Sequence, residues 1–249
     1  MKKISVLNFI LLILFTNQLQ SDTLKSTFTP NYTFKDISIN YLDWSSKTEK
    51  ESPQKDFTYL EFEAGAGFNW GYAYMFLDIE NPTKSYSDPA PDNLRVSFKP
   101  VLDIKLFDSN FYFRTQDYSL TSDDFYVHNF VNGISYRYDV KNFWIMPFAG
   151  IHYQNSTYYS GFNGYMVGYT FLYNFTIINQ DFSIFQWHET TFSRDKEDGY
   201  SGSGNQGALS FWYKINKTFT TGLQYRYADK NLGYDGYQDS VIYSLKFYF

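Results

Sequence analysis

The stretch Asp239-Ser-Val-Ile-Tyr-Ser-Leu-Lys-Phe-Tyr-Phe249 limits the possible folds more than any other. Val241, Tyr243, Leu245, Phe247 and Phe249 form an apolar file at a period of two; Ser244 and Lys246 stand on the other side, with Ile242 and Tyr248. A period of two belongs to a strand whose faces meet different surroundings. Left as an open edge in water, such a strand would invite pairing between copies and aggregation. A closed barrel removes the edge. The apolar file then faces lipid, and the side carrying Lys246 faces a wet interior. The stretch therefore predicts an all-β fold, a transmembrane β-barrel with an even number of antiparallel strands.

At the other end, Lys2 and Lys3 precede an apolar run from Ile4 to Phe15, broken only by Ser5 and Asn8 and followed by Thr16-Asn17-Gln18. A charged start and an apolar run this short predict a secretory signal peptide over residues 1–21 rather than a spanning helix. Residues 22–249 then form one barrel domain. Removing the two lysines takes the formal net charge from −5 to −7, which argues against a nucleic-acid partner. Cysteine is absent, so no disulfide is expected and no lipoprotein anchor follows the leader. The 25 Tyr, 26 Phe and 5 Trp do not suit disorder, yet no apolar run beyond the leader could cross a bilayer as a helix.

Alternation and turn residues place twelve strands, at 34–44, 57–66, 70–79, 93–105, 111–119, 125–138, 143–153, 164–176, 182–192, 206–215, 218–228 and 239–249. The fourth is clear: Leu94, Val96, Phe98, Leu102 and Ile104 oppose Arg95, Ser97, Lys99, Asp103 and Lys105. Pro100 within it lacks a ladder donor and predicts a bulge. The third is apolar on both faces until Asp78, so its parity stays open. Long connections are expected at 45–56, 80–92, 154–163, 193–205 and 229–238, a moderate one at 120–124, and tight turns between them. Long loops at one end and short turns at the other fit an outer-membrane barrel with both termini in the periplasm. No backbone edge is then left in hydrocarbon. Tyr41, Trp44, Trp70, Tyr118, Tyr153, Tyr169 and Tyr227 near strand ends suit interfacial belts. A soluble β-sandwich would carry charge on its outer face, where strands four, eleven and twelve carry none.

Parity assigned strand by strand turns Tyr59, Glu61, Glu63, Arg95, Lys99, Tyr112, Arg114, Trp212, Arg226 and Lys246 inward. Opposite charges inside a small barrel can serve merely to satisfy one another. Flat aromatic faces beside ions also suit a planar, polar solute such as a nucleobase with its sugar. Three histidines, His128, His152 and His188, bear on a hydrolase reading. His188 and Glu189 are adjacent and so point to opposite faces, and no nucleophile stands at triad spacing. No catalytic residue, metal site or cofactor is expected. The acidic pairs Asp123-Asp124 and Glu197-Asp198 fall in loops, where they hydrate the chain or hold a divalent ion weakly.

Thr58-Tyr-Leu-Glu-Phe-Glu-Ala64, followed by Phe68-Asn-Trp-Gly-Tyr-Ala-Tyr-Met-Phe-Leu-Asp78, resembles the second hairpin of the nucleoside-specific channel-forming family Tsx and its OmpK relatives. Arg95 to Lys105, with Pro100 in mid-strand, resembles the family's next strand. The resemblance implies a monomeric twelve-stranded channel in the outer membrane of a Gram-negative bacterium, surrounded by its lipid. It also implies passive passage of nucleosides and deoxynucleosides, and external loops that a phage or colicin could use. It marks Tyr59, Glu61, Glu63, Trp70, Tyr72, Tyr74 and Asp78 as hairpin positions without giving any of them a nucleoside contact. On the residues alone, a general small-solute porin, a structural or adhesive barrel and an outer-membrane hydrolase stay open as alternatives.

Overall fold

In the computed structural model, which describes residues 27–195 and 202–249, the period-two segments are strands. They are β1 (Tyr32–Trp44), β2 (Phe57–Phe68), β3 (Gly71–Glu80), β4 (Arg95–Lys105), β5 (Phe111–Thr121) and β6 (Tyr126–Tyr136, resuming at Tyr138–Val140). After them come β7 (Phe143–Ser156), β8 (Ser160–Ile177), β9 (Gln180–Phe192), β10 (Ser203–Lys214), β11 (Phe219–Asn231) and β12 (Tyr234–Tyr248). The two pieces of β6 hold one register against β7, Ser135 opposite Phe148 and Tyr138 opposite Ile145, so they form one strand interrupted at Arg137. The expected leader, residues 1–21, lies outside the described residues.

Each strand pairs antiparallel with the next, and β1 pairs with β12 from Asp36 opposite Tyr248 to Trp44 opposite Ser240. The sheet is thus a closed up-and-down barrel of twelve strands. At a spacing of about 4.8 Å and a tilt of about 40°, a circular barrel of this count is roughly 24 Å across between backbones. Side chains sort as the last strand predicts. Tyr243, Leu245 and Phe247 are 48, 43 and 40% exposed, while Ser244 and Lys246 between them are 8 and 7% exposed. The outward rows of β2, β3 and β4 carry no charged residue. Stacked rings on the outward face (Tyr173 on Phe175, Phe175 on Phe182, Phe182 on Tyr213) form a belt near the end of the barrel that bears the chain termini.

Several local expectations are corrected. Pro100 does leave a gap in the β4–β5 ladder, but Phe98 opposite Ser119 and Val101 opposite Gln116 share one register. A missing donor on one residue did not require an extra residue, so there is no bulge there. Register shifts lie instead between β11 and β12, at Asp229 to Asn231, and between β7 and β8, where His152 opposes both Asn163 and Gly164. Gly164 has φ +80°, a backbone that side-chain-bearing residues rarely adopt. The extra residue keeps both Phe162 and Tyr165 on the outward face, 43 and 45% exposed.

The connection after β1 is not all loop. It contains α1 (Ser46–Glu51), capped by Ser45, whose side chain accepts from the Thr48 amide. Ser45 also donates to Asp239 on β12 at 2.6 Å, fixing the segment to the rim. The hairpins β7–β8 and β11–β12 stay paired through stretches expected to open, to Asn155 opposite Ser160 and Asn231 opposite Tyr234. Polar residues on both faces there reflect strands that run past the hydrocarbon into water. Long connections survive after β1, β3 and β9, all at the end opposite the termini, hereafter the loop end.

Trp44 and Tyr118 do not join an interfacial belt. Trp44 faces inward, 5% exposed, packed with Leu42, Phe57, Tyr59 and Ile242. Tyr118 borders the lumen.

Candidate lumen site

Alternation in the strands places a polar inner surface around a cavity of about 1040 Å³. That is the upper end of the roughly 300–1,000 Å³ common for small-molecule sites. One wall is acidic. β1, β2 and β3 turn Asp36, Glu61, Glu63, Asp78 and Glu80 inward and no basic residue. Bases reach it from both flanks. From β4, Arg95 meets Glu80 at 2.7 Å. From β12, Lys246 donates to Glu63 and lies 3.6 Å from Asp36 and 3.7 Å from Glu61. Tyr74 donates to Glu63 and Ser38 to Glu61, so the carboxylates are held by hydroxyls as well as by the lysine. The Lys246 ammonium also sits 4.7 Å from the centre of the Trp212 ring, close enough for cation–π attraction.

A second network lies across the lumen. Lys99 on β4 meets Glu189 on β9 at 2.5 Å. Gln116 donates to the same carboxylate at 3.0 Å and Gln206 at 3.2 Å. Beside it, Arg114 pairs with Asp103 at 3.1 Å, donates to Gln116 at 3.0 Å and lies 4.4 Å from the Phe148 ring centre. Phe148, Val131 and Met166 pack together behind that arginine.

Toward the loop end, Arg226 and Asp78 have no ion-pair partner among the described residues, and Arg226 Nε and Asp78 Oδ1 are buried without a hydrogen bond. Ser97 alone donates to the other Asp78 oxygen, at 3.1 Å. Tyr59, Asp78, Tyr118 and Arg226 all border the same cavity. At the terminal end, Arg137 is sandwiched between Tyr72 and Trp144, at 4.6 and 4.3 Å from their ring centres.

Of the ten side chains expected inside, eight border the cavity: Tyr59, Glu61, Glu63, Lys99, Arg114, Trp212, Arg226 and Lys246. Arg95 and Tyr112 share the inward parity and pack against residues that line the cavity, Arg95 on Glu80 and Tyr112 against the Tyr72 ring at 5.3 Å. Among the hairpin positions, Tyr72, Tyr74 and Asp78 line the lumen, whereas Trp70 lies in the turn and donates to the Thr27 carbonyl at 3.0 Å. Sequence reasoning missed Asp78, Glu80 and Tyr118 as lumen residues. Asp78 and Glu80 alternate with Leu77 and Ile79, and that single charged pair was the signal that fixes the parity of β3. Of the histidines, His188 stands on the opposite parity of β9 from Glu189 and bonds Tyr227 at 2.8 Å and Thr190 at 2.9 Å, while Glu189 reaches Lys99 across the lumen. His152 bonds the Asn163 carbonyl at 3.0 Å and Asn129 at 2.9 Å, with no serine or acid beside it in those bonds. Glu197 and Asp198 lie outside the described residues.

Among solved structures, a NanC porin matches with a TM-score of 0.52 at 11% identity, covering 85% of this chain and 98% of that one. A KdgM porin matches with a TM-score of 0.49 at 10% identity, covering 85% and 99%. The first likeness is one of fold. The family model described as nucleoside-specific channel-forming protein, Tsx, matches residues 39–249, from within β1 to the last residue of the sequence. With the closed barrel and its polar lumen, this places the chain in the Tsx family of channel-forming proteins, as a non-enzymatic β-barrel channel of the Gram-negative outer membrane.

Proposed function

We propose that the barrel passes nucleosides and deoxynucleosides down their gradient across the outer membrane. The observation that carries this reading is the repeated pairing of a flat ring with hydrogen-bonding groups along one lumen. Tyr59 and Tyr118 border the same cavity as Asp78 and Arg226, Trp212 lies under Lys246, and the Trp187 ring centre lies 5.5 Å from the Lys99 ammonium. A base can stack on the rings while its edge and the sugar hydroxyls exchange hydrogen bonds with the charged groups. Binding is weak, because a channel that holds its solute tightly passes little of it. Residues 1–21 are the leader, and the termini with the tight turns face the periplasm.

The test is ion current through the purified protein in a planar bilayer, with adenosine, thymidine, ribose and glucose titrated in. Adenosine and thymidine should block in a saturable way, and ribose and glucose should do little at equal concentration. Ribose has the hydroxyls without the flat face, so its failure would assign the binding energy to the rings. Equal block by adenosine and glucose would mark a general pore instead.

A further inference from the structure

We infer that the Lys99–Glu189 ion pair is a bar across the lumen that sets the size limit of the channel. The two residues stand on β4 and β9, five strands apart in a ring of twelve, which in a circular barrel is nearly a diameter. A lysine nitrogen reaches roughly 6 Å from its Cα and a glutamate oxygen roughly 4–5 Å. Their contact at 2.5 Å therefore brings the two backbones within about 14 Å, against roughly 24 Å for a circular barrel. The barrel is flattened at this level, and the pair spans its short axis.

What lies on either side decides where a solute can go. Toward β5–β8 the space beside the bar is filled by Arg114, Phe148, Met166 and Val131, the last three 7, 5 and 1% exposed. Toward β1–β3 lies the acidic wall, where Lys99, Phe76, Glu63 and Asp36 occupy one row of the sheet through successive cross-strand pairs. Passage runs between the bar and this wall.

The two halves of the bar differ in how firmly they are held. Glu189 accepts from Gln116 and Gln206 as well as from Lys99, from strands on both of its sides. Lys99 has Glu189 as its one ion-pair partner among the described residues, and beyond it the face of Trp187. The carboxylate is thus the fixed post and the lysine the movable arm. A solute too wide for the gap passes when Lys99 trades Glu189 for an acceptor on the solute.

The test compares single-channel conductance in potassium chloride, and liposome swelling with a monosaccharide and a disaccharide, for the wild type, Lys99→Ala, Glu189→Ala and Lys99→Arg. Removing either half should raise conductance, by about twofold if the bar covers half of the open section at its level. It should also raise swelling with the disaccharide relative to the monosaccharide. Lys99→Arg, which keeps the reach and the charge, should stay near the wild type. Folding is checked by heat-modifiable migration; the two alanine variants act from opposite walls, so either one that folds decides the question. Unchanged conductance and unchanged relative swelling in a folded variant would overturn the inference. Because the readouts use salt and sugars, that outcome would leave the nucleoside reading untouched, and absence of nucleoside block would leave the bar untouched.

Discussion

At the scale of single residues, the lumen is governed by how few cations serve how many carboxylates. Lys246 is the one base in contact with Asp36, Glu61 and Glu63 among the described residues, and its side chain is only 9% exposed. Removing one partner of a buried ion pair is costlier than the pair is favourable, because the remaining charge is left without compensation. Lys246→Met should therefore destabilise the barrel by about 3–5 kcal/mol, read as a lower urea midpoint for loss of the folded, heat-modifiable form. Adding Glu63→Gln should recover part of that loss, since it removes one of the stranded carboxylates. A Lys246→Met variant as stable as the wild type, with no gain from the second change, would show that the acidic wall does not depend on this lysine. Sequence alone put Lys246 inside, because its strand alternates cleanly. It could not say that three acids from two other strands converge on it, since that depends on the register of β1 against both neighbours: Asp36 opposite Glu63, and Ser38 opposite Lys246 and Glu61.

At the scale of elements, strands with one charged parity were legible and strands without one were not. β4, β11 and β12 read correctly because a charge on the lipid-facing row is costly, so each charge in them announces a face. β3 stayed ambiguous because both rows are apolar or aromatic for most of its length, and with it went Asp78, Glu80 and the acidic wall as a unit. Loop boundaries failed for a related reason. Beyond the hydrocarbon both faces of a strand are wet, so β7, β8, β11 and β12 lose their alternation several residues before they lose their pairing. The parity of β12 is directly testable. Tyr243→Arg places a cation on the lipid face and should cost about 2–4 kcal/mol if it lies near mid-bilayer, seen as poor insertion or a lower unfolding midpoint. Ser244→Arg, one residue on, points into the lumen and should fold while reducing conductance. Matching yields and matching conductance for the two variants would contradict the sorting of the strand.

At the scale of the whole molecule, the barrel has two unlike ends, and the asymmetry predicts how it sits in the membrane. Turns at the terminal end are short: two residues join β2 to β3, β6 to β7 and β8 to β9. At the loop end, the connections after β1 and β3 run over 45–56 and 81–94, and that after β9 over 193–202. An outer-membrane barrel is threaded from the periplasm, so the end that must cross during insertion is the one opposite the termini. On this orientation its loops should meet the outside and the tight turns the periplasm. An epitope placed in 193–202 should be reached by antibody on intact cells. One placed between Ile215 and Thr218, in the turn joining β10 to β11, should be reached only after the outer membrane is permeabilised. The pair of sites controls for expression, since both variants carry the same tag on the same barrel. The insertion belongs inside the segment, between Asp195 and Gly202, because the Arg194 amide still donates to the Gly202 carbonyl beyond the last β9–β10 pair, Phe192 opposite Ser203. Labelling of the 215–218 site on intact cells, with the 193–202 site silent, would invert the barrel and place the Arg137 sandwich, rather than Tyr59, Asp78 and Arg226, at the outer mouth.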